Sequence, residues 1–411
     1  MSSFDRDRAQ GILQVIANEV KKHYYDPKFH GVDWDATVAD AKQKIAKETS
    51  FNMSMAHIAA ALGTLNDSHT FLLPPQHAYR MEYGFQYGMV GDRCFVTRVR
   101  PKSDAEAKGL KAGDEILALN GFQVSRDSLW KMQYVYSVLR PQPALRLTVS
   151  DPSGAQRQFT IATKFQFRKK VLDLTTGSDI WDLVRQDETE DHLLRARYEE
   201  YGHQLIALKV PEFLFSQSEV QNMVHKARKF PNLIVDLRGN PGGSVDTLKW
   251  LVGGMFDKEL KIADRVGRKE TKPEIAKPQH DPFSGKMVVL VDARSASAAE
   301  LFAKIMQLEK RAVVVGDRSA GAVMESKHYE EHMGTDTVIF YGASITEWDL
   351  LMSDGKSLEH VGVTPDEVVL PTGRDLAEGR DPALARAAEL LGVNITPEQA
   401  GKAFPYEWPP E

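Results

Sequence analysis

The stretch KMVVLVDARSASAAELFAK, residues 286–304, joins an apolar run to a segment with helical spacing. The apolar run predicts a buried strand, and Ser295 and Ser297 fall where this strand passes into the helix. A helix N-terminus offers free N–H groups and partial positive charge, which favour a developing oxyanion beside Ser297. The stretch therefore has two interpretations. Either Ser297 is a nucleophile, or Ser295 or Ser297 only caps the helix, a position that serine favours.

Strands and helices alternate around this stretch, from QLIALKV at 204–210 to RAVVVGD at 311–317. Such alternation predicts an α/β core with a mostly parallel sheet, whose sites lie at the carboxyl ends of the strands. DPALARAAELLG, at 381–392, predicts a last amphipathic helix. Before the core, the segment 166–203 is charged and poorly periodic, and we interpret it as a linker with some helix.

The N-terminal part of the chain has helical spacing. Ile12, Leu13, Ile16 and Val20 fall on one helical face, and helical patterns follow at 33–48 and 53–65. This helical unit ends at NDSHTFLLPP, residues 66–75, because two prolines stop any regular element. His69 lies in this segment and is a candidate base, since imidazole titrates near neutral pH.

Short apolar or alternating runs separated by Gly, Pro and Asp occupy 83–163 and predict strands. Within them lies AKGLKAGDEILALNG, residues 107–121, where the Asn120-Gly121 pair suits a tight hairpin. This stretch resembles a PDZ domain. The resemblance implies that the region binds a peptide C-terminus by adding it as a strand to a sheet edge. The alternative is a small β-barrel without a ligand.

Composition limits the classes of function. The chain has 411 residues, a formal net charge of −5 and a single cysteine, Cys94, so no internal disulfide is possible. The weak negative charge argues against a nucleic-acid partner, and without a run of about 18 apolar residues we expect no membrane span. The start, MSSFDRDRAQ, has no signal-peptide pattern. We expect a cytoplasmic protein, or an exported one (periplasmic or secreted) whose signal peptide has been removed.

A glycine-rich turn follows another predicted strand in LIVDLRGNPGG, residues 233–243. Glycines allow an unusual backbone path, and a backbone N–H pointing into a cleft is what an oxyanion hole needs. A phosphate-binding loop is not expected, because the Gly-Lys-Ser/Thr ending is absent.

Five motifs occur in one order: DSHTFLLPP, the PDZ-like stretch, DLRGNPGG, SASAAELFA and DGKSLEHVGVTPDEVV. This order resembles the tail-specific, or C-terminal processing, serine proteases over most of the chain. The resemblance implies that Ser297 is the nucleophile. In one branch of the family a lysine is the base, but the corresponding stretch, GDRSAGAV, has Ala322 at the lysine position. Lys327 lies five residues further on and would need a different backbone path.

The other branch, typified by the tricorn protease core, uses a Ser-His pair from the N-terminal segment and a glutamate near the end of the core. The resemblance implies that Glu359 polarises Ser68, Ser68 orients His69, and His69 deprotonates Ser297. As the base, His69 must be neutral, so activity should fall as the pH drops through the imidazole range, near 6.5 if the pKa is unperturbed.

The resemblance also implies two oxyanion donors. One is the N–H of Ala298, and the other is the N–H of Gly243, with Gly242 and Gly239 as alternatives. Glu300 has either a supporting or a merely structural role.

One motif suggests different chemistry. HYEEH, residues 328–332, matches a zinc-peptidase pattern that requires both histidines on one helical face. Its flanks contain glycine and β-branched residues, so we expect polar positions on a hairpin. No metal site and no cofactor are expected.

Two alternatives to a peptidase remain. Cores of this type also occur in the interphotoreceptor retinoid-binding protein, so the chain could be a non-catalytic relative that binds hydrophobic ligands or peptides. A PDZ adaptor is the other, but it leaves Ser68, His69 and Ser297 unexplained. The preferred prediction is a serine endopeptidase acting on peptides or unfolded protein segments, with the oligomeric state open.

The predicted fold class is a multidomain α+β and α/β protein with crotonase/Clp-like layering of the core. Its predicted segments are a helical unit (1–77), a PDZ-like β-barrel (78–165), the linker (166–203), the α/β core (204–375) and a C-terminal helix and tail (376–411).

Overall fold

The computed structural model describes residues 1–75, 79–167, 194–334 and 338–408. Three helices form the N-terminal unit: α1 (Ser3–His23), α2 (Trp34–Lys47) and α3 (Phe51–Gly63), with a 3-10 turn at Phe29–Gly31. Side-chain oxygens cap the first two, because Ser2 accepts from the N–H of Asp5 (3.0 Å) and Asp33 from that of Ala36 (3.0 Å). The apolar face of α1 predicted from helical spacing is buried.

A short strand, β1 (Phe71–Leu73), leads from the helices to an antiparallel sheet. The elements of this region are β2 (Tyr79–Glu82), β3 (Phe85–Val90), β4 (Arg93–Val99), α4 (Asp104–Ala107), β5 (Glu115–Leu119), β6 (Phe122–Gln123), α5 (Arg126–Tyr134), a π-helical turn (Val135–Leu139), β7 (Ala144–Ser150), β8 (Gln156–Ala162) and β9 (Lys164–Phe167). The sheet order is β3-β4-β5-β7-β8, so β3 is an edge strand. Asn120 and Gly121 have φ values of 49° and 89°, and they form the predicted tight turn between β5 and β6.

The remaining strands are β10 (Arg197–Tyr201), β11 (Leu205–Lys209), β12 (Asn232–Asp236), β13 (Leu260–Gly267), β14 (Thr271–Ala276), β15 (Lys286–Val291), β16 (Val313–Gly316), β17 (Met324–Met333), β18 (Ile339–Met352) and β19 (Glu367–Val368). The remaining helices are α6 (Gln217–Ala227), α7 (Val245–Gly253), α8 (Ala298–Leu308), α9 (Gly373–Glu378), α10 (Pro382–Leu390) and α11 (Pro397–Ala400). Within the described ranges, no helix combines the length and apolar composition that crossing a membrane would require.

The core sheet has the order β10-β11-β12-β15-β16-β19, and every pairing except β10 with β11 is parallel. Successive residues of its central strands belong alternately to two hydrophobic clusters, one shared with α6, α7 and α8 and the other with α10. Both faces of the sheet are therefore buried, which explains why its strands appear in the sequence as continuous apolar runs.

The segment predicted as a linker contains structure at both described ends. Lys164–Phe167 pairs with β2, and Arg197–Tyr201 is the antiparallel edge of the core sheet. The sequence RYEEY does not predict this edge strand, because its charged side chains are only partly buried and it contains no apolar run. Residues 168–193, including the predicted linker helix, lie outside the described residues. The domain boundaries themselves stay predictions.

A second antiparallel sheet has the order β1-β18-β13-β14, with β17 also paired to β18. The predicted hairpin at 321–346 corresponds to β17 and β18, whereas β13 and β14 were not predicted. Phe71 pairs with Ser344 and Leu73 with Gly342, so the N-terminal unit adds a strand to the sheet of the core. Leu72 packs in the same hydrophobic cluster as Tyr341 and the three N-terminal helices. This pairing fixes residues 66–70 against the core.

Candidate active site

Ser297 lies between β15 and α8, at the carboxyl edge of the core sheet. Its backbone has φ 54° and ψ −120°, a conformation that non-glycine residues rarely adopt and that occurs at functional sites. The N–H of Ser297 donates to the carbonyl of Ala322 (2.9 Å). The N–H of Glu300 bonds the Ser297 carbonyl (2.9 Å). Ser297 occupies the cap position and forms a capping box with Glu300, in which the Ser297 side chain faces the N–H of Glu300 and the Glu300 carboxylate accepts from the N–H of Ser297 (3.0 Å).

Ser295 is buried and has a different environment. Its hydroxyl donates to the carbonyl of Leu237 (2.8 Å) and accepts from the N–H of Asp292 (2.9 Å). These bonds hold the loop that precedes α8 against the glycine-rich turn, which is a structural role.

The glycine-rich turn lies directly against Ser297. Gly242 has φ +99°, and a Cβ at this position would lie 2.6 Å from the Cβ of Ser297. Gly243 has φ +140° and bridges to Phe213. Only glycine fits such a close approach with these backbone angles.

The three candidate glycines differ in what their N–H groups bond. That of Gly239 donates to Asp292 (2.8 Å), and that of Gly242 donates to Asn240 (2.8 Å). Within the part of the chain that the structure describes, no hydrogen bond is recorded from the N–H of Gly243 or Ala298. The two unpaired donors are thus those that the resemblance favours for an oxyanion hole.

Ser68, His69 and Glu359 form a continuous hydrogen-bonded relay. The Ser68 hydroxyl donates to Glu359 Oε2 (2.9 Å), and the Ser68 N–H donates to Oε1 of the same carboxylate (2.7 Å). His69 Nδ1 lies 2.7 Å from Ser68 Oγ. Since the one hydroxyl proton of Ser68 goes to the carboxylate, Nδ1 must carry the proton in its own bond to Ser68. This tautomer leaves Nε2 of the neutral ring as the free base.

Burial changes the titration of both ends of this relay. Desolvation lowers the pKa of His69, and the charge of Asp67 opposes this shift. Desolvation also raises the pKa of Glu359, against the hydrogen bonds from Val323 and Ser68. The expectation of activity falling near pH 6.5 is therefore revised to a lower pH.

Two consecutive residues connect the relay to Ser297. The N–H of Val323 donates to Glu359 Oε2 (2.8 Å), while the preceding carbonyl, that of Ala322, accepts from the N–H of Ser297. Among the described residues, no hydrogen bond joins the His69 ring to the Ser297 hydroxyl. The structure therefore brings the predicted site residues into one region, but His69 and Ser297 are not hydrogen-bonded to each other in it.

Glu300 is fully buried, and four donors surround its carboxylate. They are the hydroxyl of Ser319 (2.5 Å) and the N–H groups of Gly321 (2.7 Å), Ala322 (3.0 Å) and Ser297 (3.0 Å). Burial raises its pKa to about 7, although these hydrogen bonds favour the charged form. Glu300 thus joins the backbone of Ser297 to the loop at 319–322.

The alternative residues lie elsewhere. Ala322 occupies the lysine position of the other branch, and exposed Lys327 holds its ammonium over the ring of Tyr329 (5.5 Å). HYEEH lies within β17, where His328 and His332 are exposed, and not on a helix. Within the described residues, no group of three potential metal ligands occurs.

Sequence reasoning missed three residues that surround the site, namely Asp67, Ser319 and Thr346. The last two are ordinary polar residues within a loop and a strand, and no local pattern distinguishes them. Asp67 did have a signal, because an Asp that begins a loop commonly accepts from the N–H groups of the following residues.

Comparisons with known proteins agree with this architecture. Residues 205–369 match peptidase family S41, and residues 76–149 match the PDZ domain. The chain is 25% identical over 393 residues to the putative tricorn protease homolog 2 of Streptomyces coelicolor, covering 90% of this chain and 31% of that protein. It is also 25% identical over 393 residues to carboxyl-terminal-processing peptidase 1, chloroplastic, of Arabidopsis thaliana, covering 90% and 73%. The chain thus spans about a third of the first relative and most of the second.

Solved structures show the same fold. The crystal structure of mature CPAF aligns with a TM-score of 0.68 at 17% identity, covering 91% of this chain and 95% of the other. The photosystem II D1 C-terminal processing protease aligns with a TM-score of 0.53 at 17% identity, covering 97% and 100%. An S41 core joined to a PDZ domain defines a serine-type peptidase. Residues 205–369 thus form a peptidase S41 core, and the chain is similar over 90% of its length to a carboxyl-terminal-processing peptidase.

Proposed function

We propose that this chain is a serine endopeptidase in which Ser297 is the nucleophile and His69 the general base. The observation that carries the proposal is the Glu359–Ser68–His69 relay, which fixes the ring tautomer with Nε2 free. The relay meets the loop that holds the N–H of Ser297, and two unpaired N–H groups flank this serine. A nucleophile, an oriented base and oxyanion donors are the parts that acyl transfer requires.

The proposed reaction has two stages. The Ser297 hydroxyl oxygen attacks the peptide carbonyl as His69 Nε2 takes its proton, and the N–H groups of Gly243 and Ala298 stabilise the oxyanion. The imidazolium then gives the proton to the leaving amine, and the C–N bond breaks to leave an acyl ester on Ser297. Water, deprotonated by His69, attacks this ester, and return of the proton to Ser297 releases the carboxylic acid.

The PDZ domain would recognise the substrate. Strand β3 is the edge of its sheet, and an edge offers unpaired N–H and C=O groups to an added peptide strand. Gly88, on β3, lies against the side chain of Arg294, which also contacts Gly239 of the glycine-rich turn. A peptide C-terminus bound here would therefore lie close to the reacting centre. We infer an unfolded protein segment or a peptide as the substrate, and crotonase/Clp-like layering of the core.

The first test is intact-mass analysis after incubation with a fluorophosphonate probe. The proposal expects one adduct on the native chain, none on Ser297→Ala, and labelling slowed roughly 10²- to 10⁴-fold on His69→Ala. Ser153→Ala, which changes an exposed turn serine, is the matched control and should label like the native chain.

Two results would contradict the proposal. An adduct that persists on Ser297→Ala would place the nucleophile elsewhere. A folded native chain that forms no adduct, with or without a peptide for the PDZ domain, would favour a non-catalytic relative that binds hydrophobic ligands or peptides.

A further inference from the structure

We propose that Asp67 is a positioning residue for the reaction, which fixes the backbone of His69 and stabilises the charged form of its ring. This inference rests on the proposed role of His69 as the base. It adds a second carboxylate to the site, separate from the Glu359 relay and contacting a different part of the histidine.

The contacts of Asp67 support the first half of the inference. Asp67 is only 6% exposed, and its Oδ1 accepts from the N–H groups of His69 (2.9 Å) and Thr70 (2.7 Å). These two bonds fix the backbone that carries the imidazole. Glu359 and Ser68 orient the ring through Nδ1, whereas Asp67 orients the main chain from which the ring projects.

Two further donors anchor Asp67 in different parts of the molecule. The hydroxyl of Tyr24, just after α1, donates to Oδ2 (2.8 Å), and that of Thr346, on β18, donates to Oδ1 (2.7 Å). Burial and the charge of Asp67 raise the pKa of Tyr24 far above its ordinary value, so this hydroxyl keeps its proton. One carboxylate therefore ties the base both to the helical unit and to the core.

The residues before Asp67 are also held in place. The Leu65 carbonyl lies 2.8 Å from His30 Nδ1, and the Asn66 carbonyl lies 2.9 Å from His360 Nε2. Asn66 has φ 52°, in the left-handed region that Asn tolerates. The loop therefore has tertiary contacts at each residue from Leu65 to His69, and Asp67 supplies the only carboxylate among these five residues.

Electrostatics support the second half of the inference. A negative charge beside a buried imidazole favours the imidazolium, which forms when the ring takes the proton of Ser297. The other titratable groups around this loop are Glu359, through Ser68, and His30, His360, Tyr24 and Tyr25, with Asp26 beside both tyrosines and Asp349 beside Tyr25. The Glu359 oxygens accept from Ser68 and Val323 and lie 3.7 Å from His360, whereas the charge of Asp67 acts on His69 itself.

The test compares Asp67→Asn with Tyr24→Phe by the pH dependence of kcat/KM on a peptide substrate. Asn keeps the shape and an oxygen for the N–H groups of His69 and Thr70, but it has no charge. The acidic limb should therefore move to lower pH, and kcat at neutral pH should fall about tenfold with KM nearly unchanged. Tyr24→Phe removes one donor from a carboxylate that stays charged, so its acidic limb should move the opposite way.

A merely structural role for Asp67 would lower kcat in both variants without moving either limb. Unchanged limbs in variants whose thermal unfolding is cooperative would therefore overturn the inference. If Asp67→Asn does not fold, Tyr24→Phe alone decides by the same criterion.

Fluorophosphonate labelling of His69→Ala separates this inference from the proposed function. Labelling at the native rate would overturn both, because His69 would not be the base. Slowed labelling of His69→Ala together with native pH profiles in the two variants would overturn the role of Asp67 alone.

Discussion

Glu300 illustrates at the residue scale how one buried carboxylate organises the surroundings of the proposed nucleophile. Its oxygens accept hydrogen bonds from the N–H of Ser297, whose backbone is strained, and from N–H groups of the loop at 319–322. Without Glu300 the N–H groups of Gly321 and Ala322 would lose their acceptor, which costs about 1–3 kcal/mol for a buried group, whereas the N–H of Ser297 also donates to the Ala322 carbonyl. The same burial disfavours the charge that the donors require, so the protonation of Glu300 is coupled to folding.

We predict that the contribution of Glu300 to stability depends on pH. Its pKa rises from 4.5 unfolded to about 7 folded, so the folded state binds the proton more tightly. The resulting stabilisation is fully present below about pH 4.5 and is lost as the pH rises through 7, by about 3 kcal/mol. Relative to Glu300→Gln, the native chain should lose unfolding free energy between pH 4.5 and 8, measured by denaturant titration.

The matched control for this prediction is Glu330→Gln, which changes an exposed glutamate on β17. Its unfolding free energy should stay parallel to that of the native chain across the same pH range. A pH-independent difference between the native chain and Glu300→Gln would refute the coupling.

At the scale of elements, the site depends on two turns that touch, the glycine-rich turn after β12 and the Ser297 turn before α8. The backbone of the glycine-rich turn lies so close to the side chain of Ser297 that an added atom would displace one of the two turns. Gly242 is the point of contact, because its missing Cβ would lie 2.6 Å from the Cβ of Ser297 and 3.0 Å from the Ala296 carbonyl.

We predict that Gly242→Ala lowers kcat/KM by at least about 10²-fold, because the new methyl group displaces Ser297 or its oxyanion donors. Gly154→Ala is the matched control, since Gly154 has a similar φ of +89° but open space around its Cβ. Both variants carry a comparable backbone strain of about 1–2 kcal/mol. Equal activities in the two variants would show that the close approach has no catalytic consequence.

At the scale of the whole molecule, an ion pair joins the PDZ domain to the core close to the site. Arg126, at the start of α5, donates to Asp317 (2.7 Å), and the N–H of Gly91 reaches the same carboxylate oxygen (2.8 Å). The two side chains are 13% and 10% exposed. Asp317 leads directly into the loop that Glu300 holds, so the contact between domains and the site share one segment.

We predict that Asp317→Asn destabilises the protein by about 3 kcal/mol, because it leaves a buried guanidinium without its counter-charge. Arg93 and Glu115 provide the comparison, since this pair lies within the PDZ sheet and the arginine is 63% exposed. Glu115→Gln should therefore cost less than about 1 kcal/mol. Thermal and denaturant unfolding of the two variants would test the ranking, and equal losses would refute a special role for the contact between domains.

Local patterns in the sequence were sufficient for the alternating core, the helical N-terminal unit and the Asn120-Gly121 turn, because each reflects residues that are neighbours along the chain. The edge strand at Arg197–Tyr201 and the strands β13 and β14 were missed, although β10 pairs with β11 and β13 with β14 as neighbours along the chain. Charged and partly exposed side chains interrupt the apolar alternation in all three strands, so they leave no clear periodicity.

The candidate site likewise combines residues that the sequence identified with contacts that only the structure shows. Ser297 at a strand-to-helix turn and His69 in a loop were identified from residue types, motif order and family resemblance. That Glu359 polarises Ser68 was implied only by the resemblance, and the tertiary structure supplies the contact itself, across 291 positions, where β1 pairs with β18. The resemblance favoured Gly243 over Gly242 and Gly239, and the tertiary structure supplies a physical reason, because Asn240 and Asp292 accept from the N–H groups of the other two glycines. The periodicity of the sequence indicates which face of a helix or strand is buried. The residues that this face contacts depend on how distant elements pack and hydrogen-bond in the folded chain.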